Sequence, residues 1–97
     1  MNNDYILTRL ESFLINDIPE PANFPCISKR AFKKLSYARE TIYIIMDKIT
    51  DNPLKDGWDI IWSFDLELEY YRGIVKTGEA QFMCDVMLET IHEIMKI

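Results

Sequence analysis

The sequence predicts an all-α protein, a small antiparallel four-helix bundle. Three observations carry that expectation. Apolar residues recur at three- and four-residue spacing in four separate segments. Those segments are divided by capping residues, prolines and glycines at about residues 17–28, 50–57 and 75–78. The later two dividers are short, which favours antiparallel neighbours. Ninety-seven residues, 48% of them hydrophobic, suit one globular domain spanning 1–97 with a modest core.

The first helix is expected near 4–16. Ile6, Leu7, Leu10, Phe13 and Leu14 form its apolar stripe, and Asn3 or Asp4 is placed to cap its start. Residues 17–27, DIPEPANFPCI, hold Pro19, Pro21 and Pro25, and no helix continues through them. The segment reads as an ordered crossover in which Ile18, Phe24 and Ile27 are pinned to the bundle. A proline-rich docking strand is the alternative, and its acidic setting disfavours that reading.

Ser28 is an N-cap in waiting for the second helix, near 28–50, about 33 Å long for 22 residues. Phe32, Leu35, Ala38 or Arg39, Ile42, Ile45, Met46 and Ile49 make its stripe. Lys29, Arg30, Lys33 and Lys34 crowd its first turns, where the helix dipole favours anions instead. Three readings follow: a match to acids of the third helix, a solvated face, or a site for a phosphate or other anion at the free N–H groups.

The third helix, near 57–75, carries both tryptophans. Asp56 and Asp59 mark its start as in a capping box, and Gly73 lies near its end. From Trp62 to Tyr70 apolar and polar residues alternate strictly, the signature of a half-buried strand; if 62–70 is one, the fold becomes α+β. The helix is preferred, because the apolar pattern runs on at both ends for about twenty residues, whereas strands rarely exceed about ten. Wound as a helix, Ile60, Ile61, Phe64, Leu68, Tyr71, Ile74 and Val75 occupy an arc of roughly 140°. A second stripe, Trp58, Trp62, Leu66 and Tyr70, lies outside it, with Asp65, Glu69 and Arg72 between the two. Either both stripes are buried, with this helix at the centre of the bundle, or the second is a binding face. The fourth helix, near 79–95, starts at Thr77-Gly78-Glu79 and has Phe82, Met83, Val86, Met87, Ile91, Ile94 and Met95 as its stripe.

Net charge is −5, unevenly spread. Residues 28–50 hold six bases against two acids, and residues 51–97 ten acids against four bases. The acidic total argues against non-specific nucleic-acid binding. No apolar run reaches the ~18 residues of a membrane span, and the first residues lack the pattern of a signal peptide. Cys26 and Cys84 form no CxxC pair and read as reduced thiols in a cytoplasmic protein. Fourteen isoleucines against four alanines hint at a low-GC bacterium or its phage.

Catalytic chemistry finds no support. Glu89 and His92 share a helical face, but a di-iron bundle needs two such motifs and two further glutamates. Cys84 and His92 are about 12 Å apart along one helix, beyond nucleophile–base reach. No phosphate loop or CxxC pair is present. No enzyme, metal or cofactor is therefore expected.

The expected function is a non-catalytic protein-binding module. Trp58, Trp62, Leu66 and Tyr70 would be its anchors, and Asp59, Asp65 and Glu69 an acidic rim facing a basic partner. An inhibitor, an immunity-type or antitoxin-like protein, a phage-encoded modulator or a homodimer fits that character. The alternative is nucleic-acid or anion binding through Lys29, Arg30, Lys33 and Lys34.

Overall fold

The computed structural model describes residues 3–96. Among the described residues four α-helices occur, α1 (Asp4–Asn16), α2 (Lys29–Asp51), α3 (Gly57–Ile74) and α4 (Gly78–Met95), with one 3-10 turn at Pro21–Asn23. No strand occurs among the described residues, so the alternation at 62–70 lies within a helix.

Three helix starts follow from local chemistry. The Ser28 hydroxyl accepts from the Ala31 N–H at 3.1 Å, the Asp56 carboxylate from Trp58 N–H at 2.9 Å, and the Thr77 hydroxyl from Ala80 N–H at 3.2 Å. The start of α1 differs. Asn3 makes no side-chain cap on its own helix. Its amide instead reaches the turn before α3, donating to the Lys55 carbonyl at 2.8 Å and accepting from the Gly57 N–H at 2.9 Å. Gly57 makes that approach possible. A Cβ there would lie 2.7 Å from Ile6 Cδ1 and 3.2 Å from the Asn3 side-chain oxygen.

Contacts along the helices set their directions. Arg72 meets Asp85 and Asp65 meets His92, so α3 and α4 run antiparallel. Gly57 approaches Ile49, and Lys48 lies over the Phe64 ring, so α2 and α3 also oppose. Asn3 sits at the α2–α3 end while Leu14 meets Arg39, which turns α1 against α2. The chain therefore runs up, down, up and down.

The core gathers Ile6, Leu10 and Leu14 of α1, Ile42, Ile45 and Ile49 of α2, Ile61, Phe64 and Leu68 of α3, and Val86, Met87, Ile91 and Ile94 of α4. The packed pairs are α1 with α2, α2 with α3, α2 with α4, and α3 with α4. The helix at the centre is thus α2, not the tryptophan-bearing α3. Along its thin direction the backbone extends 22 Å, about two helix diameters. A body so flat leaves the outer side of α3 uncovered.

One side chain makes the polar ties between the crossover and α2. Arg39, 15% exposed, donates to the Ile18 carbonyl at 2.6 Å and pairs with Glu20 at 3.2 Å. Ile18 is buried as expected, whereas Phe24 is 45% exposed and Ile27 half-buried. Phe32, Tyr71, Ile74 and Met95 also depart from their expected core stripes and are exposed, each lying in the outer turns of its helix. Cys84 and Thr90 are buried where no stripe placed them, and the Thr90 hydroxyl is satisfied by the Val86 carbonyl at 2.8 Å. Both cysteines are free, Cys26 exposed and Cys84 buried. Burial pushes the Cys84 thiol up, so it stays protonated and inert. No described helix is long and apolar enough to cross a membrane.

Candidate functional site

The outer face of α3 follows from two four-residue ladders wound on one helix. Ile61, Phe64 and Leu68 turn inward and are 0 to 8% exposed. Trp58, Trp62, Leu66 and Tyr70 turn outward and are 38, 56, 47 and 74% exposed. Ile74 extends the outward row at the C-terminal end. Isolated exposed apolar residues need no explanation, but a run of four or five along one helix, two of them tryptophans, is a patch.

The expected acidic rim is only partly there. Asp59 and Glu69 are exposed beside the aromatic row, and Glu67 joins them further round the helix. None of the three is held in an ion pair among the described residues. Asp65 departs from the expectation. At 6% exposure it is buried in the α3–α4 seam, where it meets His92 Nε2 at 3.2 Å. The reason is angular: Asp65 sits one helical row towards α4 from the tryptophans.

The basic start of α2 is matched by acids, but they come from α4 and not from α3. Lys33 pairs with Glu79 at 3.2 Å and Lys34 with Glu89 at 4.0 Å. Arg30 stacks its guanidinium 4.1 Å from the centre of the Phe82 ring. Tyr37 donates its hydroxyl to Glu79 and meets Phe82 edge-on. The Tyr37 hydroxyl first, and Lys33 second, hold the Glu79 carboxyl below its ordinary range. The same bond raises the Tyr37 hydroxyl. Of the four bases named as an anion site, Lys33 and Lys34 therefore face carboxylates and Arg30 faces a ring. Of the free N–H groups at the start of α2, that of Ala31 is taken by the Ser28 side chain.

Glu89 and His92 do not act together. Glu89 points to Lys34 of α2, while His92 turns to α3. The histidine meets a different group: one ligand atom each from Asp65, Glu69 and His92 lie within 4.8 Å of one another. Sequence spacing had the means to find this cluster. Asp65 and Glu69 are four apart on one helix, and in the antiparallel α3–α4 hairpin Arg72 opposite Asp85 places Asp65 opposite His92.

No protein-family model matches the chain, and neither the curated proteins nor the solved structures contain a match to it.

Proposed function

We propose that this chain is a non-catalytic protein-binding module whose contact face is the outer side of α3. The observation that carries the reading is the exposed row Trp58, Trp62, Leu66 and Tyr70, which the core does not use. Tryptophan and tyrosine bury much area for few lost rotamers and keep a polar handle, which makes them favoured anchors. Asp59, Glu67 and Glu69 leave unneutralised negative charge around that row. The partner therefore has an apolar pocket rimmed by lysine or arginine. A second copy fits less well. A two-fold interface would bring the same acidic rim against itself, and like charges across an interface are costly. An inhibitor or antitoxin-like regulator that covers a basic site on a larger protein is the class this face suits.

Anion binding at Lys29, Arg30, Lys33 and Lys34 is the weaker reading, because Glu79 and Glu89 stand on the same surface and repel phosphate.

The test is capture from the native host by wild type and by Trp62→Ala, followed by kinetics on the purified pair. Trp62→Ala should keep its helical signal and lose about 2 kcal/mol or more of affinity, a roughly thirtyfold weakening. Added salt should slow association more than it speeds dissociation. A Trp62→Ala protein that is folded and captures its partner undiminished ends the proposal.

A further inference from the structure

We propose that Asp65, Glu69 and His92 form a three-ligand site for a divalent cation of the zinc class. It bridges α3 and α4, and it shares Glu69 with the acidic rim but needs none of the aromatic row. Each residue presents one ligand atom, and the three lie within 4.8 Å of one another. Two helices contribute, so the site is built by the tertiary fold and not by one run of acids.

The geometry sets the size of the ion. Zinc bonds of about 2.0–2.2 Å to nitrogen and oxygen place neighbouring ligand atoms about 3.3–3.5 Å apart in a tetrahedron. His92 Nε2 and Asp65 Oδ1 are 3.2 Å apart, already one tetrahedral edge. A cation can sit on that edge without moving either helix. Only Glu69 has to close in, by no more than about 1.5 Å. It is exposed and follows Asp65 by one turn, so a rotamer change suffices.

The chemistry sets the kind of ion. An imidazole nitrogen with two carboxylates suits zinc and its neighbours, whereas magnesium and calcium call for six or more oxygens. Asp65 supplies a second reason. Its side chain is 9% exposed, and His92, half in solvent, is its partner across the seam. A carboxylate so withdrawn from water is stabilised by positive charge beside it, and a cation on the shared edge supplies that charge. With three protein ligands, a position stays open for water, and the exposed Glu69 and His92 place it on the solvent side.

The experiment is calorimetric titration of the full chain with Zn2+, with Mg2+ and Ca2+ as comparisons, and thermal unfolding with and without zinc. One equivalent of zinc should bind and raise the melting temperature, while Mg2+ and Ca2+ give no heat. Glu69→Gln, at an exposed position, and His92→Ala, which also takes the partner from buried Asp65 and is therefore checked for folding by its metal-free melting, should each weaken zinc at least about tenfold. Cys26→Ser, which removes the exposed thiol, should bind as wild type does. Loss of binding in Cys26→Ser, undiminished binding in His92→Ala and Glu69→Gln, or no binding at millimolar zinc overturns the site.

Discussion

Helices α2 and α3 lie side by side and treat their apolar residues in opposite ways. In α2 one ladder, Ala38, Ile42, Ile45 and Ile49, is buried against three other helices, and the basic outer residues find carboxylates or a ring on α4. In α3 one ladder is buried and a second, richer in aromatic area, is turned to solvent beside unpaired acids. The same helical geometry thus serves cohesion in one element and display in the other. Position in a thin body decides which. Helix α2 has neighbours on three sides, while the outer side of α3 has none. Apolar surface that the fold does not need points to recognition more directly than does any single residue type.

Substitutions along the two helices should separate these roles. The largest effect belongs to α2. Ile45 is fully buried, and Ile45→Ala should cost about 2–5 kcal/mol in denaturant unfolding. A value under about 1 kcal/mol would mean that α2 is not the centre. Next comes Arg39→Ala, which frees the crossover by removing charged hydrogen bonds to the Ile18 carbonyl and Glu20. It should cost about 1.5–3 kcal/mol and open residues 17–27 to proteolysis. By contrast Trp62→Ala should change stability by only about 0.5 kcal/mol, close to a surface substitution. An unfolded Trp62→Ala protein would erase the distinction between the two helices.

The smallest effect is the pH response of the α2–α4 contact. Glu79 has its carboxyl held low by Tyr37 and then Lys33, so its contribution is present at neutral pH. It is lost as pH falls through the lowered value. Tyr37 is shifted upward by the same bond, so its share is full below the usual tyrosine range and is lost as pH rises through the raised value. Tyr37→Phe should return the Glu79 titration towards its ordinary range, read by NMR. No movement would remove the hydroxyl as the principal cause.

Much of this architecture was legible in the residues. Ser28, Asp56 and Thr77 act on N–H groups two or three positions away, so local pattern placed three helix starts within one residue or so. The alternation at 62–70 was ambiguous for a geometric reason. Two four-residue ladders, Phe64–Leu68 facing in and Trp62–Leu66–Tyr70 facing out, are offset by two positions, and together they imitate a period of two. The continuation of the apolar pattern beyond 62–70 at both ends is what marks a helix.

What could not be read was whatever depends on crossing geometry. The bases of α2 meet acids of α4, 46 and 55 positions away along the chain. Asn3 reaches across 54 positions to Gly57, and no local rule sends an asparagine away from its own helix end. Asp65 and Glu69 look alike in sequence, yet one row of helical rotation buries the first and leaves the second in water.

The two polar ties on α1 have a consequence for how that helix seats. Asn3 grips the turn before α3 at one end, and Arg39 grips the Leu14 and Ile18 carbonyls at the other. Between them, Ile6, Leu10 and Leu14 recur every four residues, a smooth ladder that by itself tolerates sliding by one turn of about 5.4 Å. Such a slip would unfasten both ends at once. Grease supplies the adhesion of α1, while an amide and a guanidinium fix its register, as two dowels locate a plank that glue alone would let drift.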